Sequence, residues 1–257
     1  MLKVGVVGAG GRMGQTVCRA VLGASDLELV AAVDPDHAGE PVEGTAIEIA
    51  PAVAALAAAS AEVVVDFTVL AAARKNVPQY AERGIHAVIG TTGFTTDDLE
   101  EYGRLFGAST ANAVIAPNFT IGAVLMMRFA EMAAPWFESG EIIELHHDRK
   151  IDAPSGTAVR TAQRMAAASD SWTPDPTETE TVAGARGGTV DGIPVHAVRL
   201  RGVFAHQEVV LGTAGQTLTI RHDSFDRDAY MPGVLLAVRE VANRPGLTIG
   251  LDPLLGV

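Results

Sequence analysis

Lys3-Val4-Gly5-Val6-Val7-Gly8-Ala9-Gly10-Gly11-Arg12-Met13-Gly14-Gln15-Thr16-Val17 is the stretch on which the reading of the whole chain turns. Its valine-rich start, Lys3–Val7, predicts a strand, and Met13, Val17, Ala20 and Val21 recur at helical spacing behind it. Between strand and helix lies a glycine-rich turn. Glycine suits a turn that is tight and whose backbone must approach a phosphate closely. The helix that opens there offers N–H groups and a positive dipole end to an anion. The generic Gly-x-Gly-x-x-Gly spacing would put a glycine at 13, where this chain has Met13. Gly8, Gly11 and Gly14 give Gly-x-x-Gly-x-x-Gly instead, and Gly8 and Gly10 supply the Gly-x-Gly half.

Working outward, short apolar runs alternate with helical patterns as far as residue 117. Strands are expected over Leu27–Val33, Val63–Phe67, Ile85–Ile89 and Ala113–Ala116. Helices are expected over Ala50–Ser60, over Ala71–Glu82 with a bend at Pro78, and from Thr96, where acidic residues fill the first turn. Repeated β-α units of this length predict a doubly wound, Rossmann-like parallel sheet with right-handed crossovers. Asp34 ends the second strand some twenty residues past the glycine turn. A carboxylate there can accept hydrogen bonds from ribose hydroxyls, which tilts the choice between NADH and NADPH towards NADH. Arg12 argues the other way, because a guanidinium near the turn could pair with a 2′-phosphate.

After Pro117 the rhythm changes. A long helix over Thr120–Phe137, a strand over Glu141–His147 and a helix over Gly156–Ala168 precede a polar loop, Ser169–Gly188. Three strand-like runs then follow without helices between them: Pro194–Arg201, Glu208–Gly212 and Thr217–His222, the last two joined by Thr213-Ala214-Gly215-Gln216. The expected architecture is a dinucleotide-binding domain, 1–117, completed by 230–257, and a substrate-binding α+β domain with a mixed or antiparallel sheet, 118–229.

Bulk properties narrow the function. The chain has 257 residues, 48% of them hydrophobic and 19% charged, which excludes disorder as its dominant state. Acidic residues outnumber Lys and Arg 31 to 19, a net charge of −12, so nucleic acid and anionic membrane surfaces are unexpected partners. The single cysteine, Cys18, rules out an intrachain disulfide, and no long apolar span is visible, so a cytoplasmic soluble protein is expected.

The densest polar chemistry is Glu144-Leu145-His146-His147-Asp148-Arg149-Lys150-Ile151-Asp152-Ala153-Pro154-Ser155-Gly156-Thr157-Ala158. Neighbouring strand residues point to opposite faces, so His146 and His147 are expected to differ in role. A histidine can shuttle a proton near neutrality, and Lys150 carries a cation. Ser155 is a candidate N-cap, and the helix start at Gly156 and Thr157 offers backbone donors. A cation beside a helix N-terminus is a good carboxylate receptor. His146, His147 and Asp148 are consecutive and no His-x-x-x-His spacing occurs, so a metal is not expected. Another two-domain dehydrogenase, of aspartate or homoserine type, would account for the glycine turn but not for this string. A nucleotide-sensing regulator would carry an exposed basic recognition helix, and none is seen.

Taken in order, GAGGRMG at 8–14, GTTGF at 90–94, APNFTIG at 116–122, ELHHDRKIDAPSGTA at 144–158 and RLRGVFAHQEV at 199–209 resemble the 4-hydroxy-tetrahydrodipicolinate reductase (dihydrodipicolinate reductase) family of bacterial lysine biosynthesis. The resemblance covers nearly the whole chain. It implies NADH- or NADPH-dependent reduction of a cyclic dicarboxylate. It implies that Gly8, Ala9, Gly10, Gly11, Arg12 and Met13 hold the cofactor pyrophosphate and that Asp34 holds its ribose. Gly90, Thr91 and Thr92, with Ala116, Pro117, Asn118 and Phe119, would line the nicotinamide side. His146 would donate or accept a proton, Lys150 would donate one, and His147, Ser155, Gly156 and Thr157 would contact the substrate. A homotetramer built through the second domain's sheet is also implied. The basic residue often found after the ribose-binding acid is absent, since Pro35 and Asp36 follow Asp34.

Overall fold

The computed structural model describes all 257 residues, which divide into two units, 1–121 with 230–257, and 122–229. The first unit runs β1 (Leu2–Val7), α1 (Arg12–Leu22), β2 (Leu27–Val33), β3 (Ile49–Ala50), α2 (Ala54–Ala58), β4 (Val63–Asp66), α3 (Leu70–Glu82), β5 (His86–Ile89), α4 (Thr96–Gly107) and β6 (Ala113–Ile115). The second runs α5 (Ile121–Ala133), β7 (Ser139–His146), α6 (Gly156–Ala168), β8 (Gly188–Val190), β9 (Ile193–Arg199), β10 (Ala205–Thr213) and β11 (Gln216–Ser224). The chain then returns to the first unit with α7 (Met231–Glu240), β12 (Leu247–Ile249) and α8 (Asp252–Leu255).

All pairs in the first sheet are parallel, in the order β12-β6-β5-β4-β1-β2-β3. The order reverses between β1 and β4, the point at which doubly wound sheets open a crevice at the carboxyl ends of their strands. Val63, Val64 and Val65 are wholly buried because helices cover both faces of the sheet, so β4 reads as an unbroken apolar run. One core cluster joins Val7, Val33, Leu56, Val64 and Ile89 to Tyr80, Tyr102 and Phe106. Burying side chains of this size contributes roughly 1.5–3 kcal/mol each. Thr95 caps α4 with a reciprocal box: its hydroxyl accepts from Asp98 N, and the Asp98 carboxylate accepts from Thr95 N.

The outer strands depart from expectation. The helix read over Ala50–Ser60 shrinks to Ala54–Ala58, because Ile49 and Ala50 pair in parallel with Ala32 and Val33 as an edge strand. β12, with no sequence signal of its own, extends the sheet beyond β6, where Leu247–Ile249 register with Ala113–Ile115. The Asn112 side chain holds this junction: its amide donates to Val241 O (3.1 Å) and Ala242 O (3.0 Å), and its oxygen accepts from Gly246 N (3.0 Å). α3, expected over Ala71–Glu82 with a bend at Pro78, runs Leu70–Glu82 with Pro78 inside it.

The second unit is a mixed sheet in the order β11-β10-β7-β9-β8, with β7 and β9 parallel and the other pairs antiparallel. The polar loop stops at 187, because Gly188–Val190 folds back on Ile193–Val195. Along β7 the buried residues alternate, Gly140, Ile142 and Glu144. That period-2 pattern places a carboxylate in line with the apolar core, and His146 is the next residue on the same face. α6 buries Ala158, Thr161, Ala162 and Met165, and the Thr161 hydroxyl accepts from the buried Gln207 amide at 2.7 Å. No helix is long and apolar enough to cross a membrane.

Candidate active site

In the first unit the implied cofactor residues lie at the carboxyl ends of parallel strands: Gly8–Met13 after β1, Asp34 after β2, Gly90–Thr92 after β5 and Ala116–Phe119 after β6. The turn itself shows why glycine is required. Gly8 has φ +80°, a left-handed conformation open to glycine at little cost, and its N–H donates to Val33 O at 2.8 Å. A Cβ on Gly14 would lie 2.0 Å from Gly8 O, so helix and turn touch backbone to backbone. Met13 breaks the generic fingerprint because the close approach falls one residue later, at Gly14. No side chain caps α1 at Gly11, which leaves the helix start to an anion. These features fit a pyrophosphate.

Asp34 does more than end a strand. Its carboxylate accepts from Gly10 N and Asp36 N, each at 3.1 Å, and so braces the turn from the β2 side. The His37 ring lies against Gly10 and pairs with Glu40 at 3.1 Å. The Glu40 bond raises the His37 pKa above the ordinary histidine value. A cavity of about 130 Å³ opens beside the turn, lined by Gly10, Gln15, Arg19, Glu40, Val42 and Ile49. Arg12 is exposed at the helix start.

Two residues missed in the sequence complete this edge. Phe67, just past β4, covers Gly90 so closely that a Cβ there would lie 2.1 Å from its ring, and it packs on the buried Phe119 at 5.8 Å. Thr68 is held by the buried Asp66 carboxylate through its N–H (2.9 Å) and hydroxyl (2.7 Å), and its carbonyl accepts from the Thr91 hydroxyl at 2.9 Å. Thr92 and Pro117 are exposed, Ala116 is buried, and Asn118 Oδ1 accepts from Thr120 N at 2.8 Å.

In the second unit, β7 ends at His146, so His147 is released from the strand alternation. His146 is partly buried, and its Nδ1 lies 2.5 Å from Glu144 Oε2. Glu144 is wholly buried and also takes both Arg199 Nη atoms at 2.9 Å and Ser155 N at 3.1 Å. Burial alone would push this carboxyl up; the bonds from His146 and Arg199 outweigh it and hold the group below the ordinary glutamate range. His147 Nδ1 is buried without a hydrogen-bond partner, and its ring lies 6.3 Å from Phe204. Lys150 Nζ is paired with the Asp152 carboxylate at 2.8 and 2.9 Å, and that bond holds Asp152 below its usual range. The Ser155 hydroxyl caps α6 by accepting from Ala158 N at 3.2 Å; Gly156, exposed, and Thr157, half-buried, open the helix. The structure therefore brings together His146, Lys150 and the start of α6. The joint is made by Glu144, Arg199 and Asp152, to which sequence reading assigned no role. The Glu144–His146 step of two along a strand was the available signal for the first.

Two family models divide the chain between them: the N-terminal part of dihydrodipicolinate reductase matches residues 2–119 and its C-terminal part matches residues 122–255. The chain belongs to the dihydrodipicolinate reductase family. Its similarity to individual members is of the same extent. A 4-hydroxy-tetrahydrodipicolinate reductase from Mycobacterium marinum is 53% identical over 258 residues, covering 100% of both chains. One from Nocardia farcinica is 54% identical over 259 residues, covering 99% of this chain and 98% of its own. A dipicolinate-bound dihydrodipicolinate reductase from Paenisporosarcina sp. TG-14 superposes with a TM-score of 0.90 at 38% identity, over 98% of this chain and 99% of that one. As a dihydrodipicolinate reductase, the chain is an NAD(P)H-dependent oxidoreductase.

Proposed function

We propose that His146 and Lys150 supply and hold the proton in this enzyme's reaction, and that His147, Ser155, Gly156 and Thr157 build the receptor for the substrate's carboxylates. The enzyme reduces 4-hydroxy-tetrahydrodipicolinate to tetrahydrodipicolinate, a step of diaminopimelate and lysine biosynthesis. The nicotinamide, when bound, supplies the hydride.

The observation that supports the reading most is the His146–Glu144 contact. It fixes the ring through Nδ1 and leaves Nε2 as the atom that can pass a proton. The orphaned His147 Nδ1 is a buried group awaiting a partner, which a carboxylate oxygen can provide when that nitrogen carries the proton. Lys150 gives up part of its Asp152 pairing when an anionic substrate competes for the ammonium. Gly156 has open space where a side chain would project, so the helix start can be approached closely.

For the cofactor, Gly8, Ala9, Gly10, Gly11, Arg12 and Met13 would take the pyrophosphate, Asp34 the ribose, and Gly90, Thr91, Thr92, Ala116, Pro117, Asn118 and Phe119 the nicotinamide side. We read the preference as NADH, because Asp34 and Asp36 would repel a 2′-phosphate. We place the enzyme in the cytoplasm, where the nicotinamide pool lies. We also read it as a homotetramer assembled on the second unit's sheet, whose edge strand β11 exposes Gln216–Thr219.

The test is NAD(P)H oxidation with freshly generated 4-hydroxy-tetrahydrodipicolinate. His146→Gln and Lys150→Ala should each lower kcat roughly 10²–10⁴-fold, the range for lost general acid–base work. NADH affinity, measured by fluorescence, should stay unchanged. Loss of NADH binding in both, or kcat near wild type in both, would overturn the assignment.

A further inference from the structure

Glu144 is the one carboxylate in the second unit that is wholly buried, and each of its oxygens accepts two hydrogen bonds. Oε2 takes His146 Nδ1 and Arg199 Nη1; Oε1 takes Arg199 Nη2 and Ser155 N. A carboxylate offers about four lone-pair sites, and all of them are used. The four donors come from three separate elements: the end of β7, the end of β9 and the cap of α6. Arg199 reaches further, donating from Nη2 to Asp152 O at 2.6 Å, and Asp152 is the residue that holds Lys150. This ion pair therefore touches the chain at His146, Ser155 and Asp152, and through Asp152 it reaches Lys150.

Such an arrangement costs desolvation of two charges and is weak evidence for a stabilising role. Its specific effect lies on the His146 ring. A carboxylate accepts only, so Nδ1 must be the donor, and the ring is locked as the Nδ1–H form whenever it is neutral. When Nε2–H gives its proton to the reduced substrate, the imidazolium becomes that neutral form without moving, and the proton to Glu144 stays in place.

We propose that Glu144, with the partly buried Arg199 as its counter-ion, is the positioning residue of the reaction: it acts through His146, holding the ring in the tautomer and orientation that lets Nε2 transfer the proton. This rests on the reading of His146 as the proton-transferring group. Replacing Glu144 by Gln keeps the shape but supplies an amide that can donate to Nδ1. The ring then takes the opposite tautomer, with its proton on Nε2 in the neutral state.

Two measurements test it. The first is a double-mutant cycle of Glu144→Gln and His146→Gln on kcat and KM. Glu144→Gln alone should lower kcat more than about tenfold, within the loss shown by His146→Gln. In the His146→Gln background the same change should alter kcat less than about twofold, because the group it acts through is gone. Multiplying fold-losses would overturn the proposal and make Glu144 merely structural. The second is the nitrogen NMR of ¹⁵N-histidine-labelled wild-type protein with the His146 ring neutral, which needs no variant to fold. The Nδ1–H tautomer is expected at His146; the Nε2–H tautomer would overturn the proposal. If His146→Gln instead leaves kcat near wild type while the Nδ1–H tautomer is observed, it is the assignment of His146 that fails, and the positioning role fails with it.

Discussion

Replacing Gly14 by alanine adds one methyl group at the tightest point of the phosphate turn. That Cβ would stand 2.0 Å from Gly8 O, 2.6 Å from Gly8 C and 2.7 Å from Ala9 Cα, all backbone atoms. Ordinary contact begins at 3.4 Å, so the Gly8 carbonyl must separate from the new atom by a further 3.4 − 2.0 = 1.4 Å. The turn has no slack for this. Gly8 O accepts from Gly11 N at 3.0 Å, and Gly8 N donates to Val33 O at 2.8 Å. Losing one such bond costs about 0.5–1.5 kcal/mol net, and overpacking about 1–3 kcal/mol, together about 1.5–4.5 kcal/mol. At 1.4 kcal/mol per tenfold, even the lower bound weakens NADH binding about tenfold if the strain is relieved by distorting the turn. Gly10→Ala is the control. Its Cβ would lie 2.1 Å from the His37 ring, an exposed side chain able to swing aside, and 2.7 Å from His37 Cβ, so a smaller penalty remains that His37→Gly, which deletes that atom, should relieve. The assay pairs thermal melts with NADH fluorescence titration of the three variants. A Gly14→Ala protein with wild-type melting and NADH affinity, or one no worse than Gly10→Ala, would refute the reasoning.

Asp34→Ala should raise the KM for both cofactors, since the carboxylate braces Gly10, and raise that for NADH more; equal effects would remove Asp34 from the ribose site. Asn112→Ala loses three side-chain hydrogen bonds to the 241–246 segment and should lower stability by about 1.5–4.5 kcal/mol in denaturant titrations. The depressed Glu144 pKa contributes stability that is complete above the usual glutamate value of 4.5 and is lost as pH falls through the folded value. The difference in Tm between wild type and Glu144→Gln should therefore be flat near neutrality and shrink in acid.

The parallel sheet was legible because its central strands are unbroken valine and isoleucine runs, and because buried sheets need such runs. β3, β8 and β12 were not, since two or three residues carry no periodicity and owe their strand form to a neighbour's open edge. The alanine-rich segment before residue 60 looked helical throughout by propensity, but pairing with Val33 overrode it at its first residue, Ala50. In the candidate site, His146, Lys150 and Ser155 stand close together in the chain and draw attention by type. Arg199 lies 55 positions from Glu144 and met it only once the parallel pairing of β7 with β9 was known. Phe67 escaped notice for another reason: an apolar ring at a strand end reads as core, and only its closeness to Gly90 and Phe119 shows which wall it forms.

The Asn112 junction has a consequence for the order in which the protein is made. A ribosome delivers residues 1–121 first, yet the edge of their sheet stays open until β12 arrives more than a hundred residues later. The second unit is continuous, so it can close on itself while the first still waits for its last strand. A chain truncated after residue 229 should thus protect the amides of β7 and β10 from hydrogen exchange while the β6 amides that face β12, such as Ala113 N, exchange freely. The vulnerable intermediate of biosynthesis is the nucleotide-binding half, with one edge of β6 left open to any passing chaperone or neighbour.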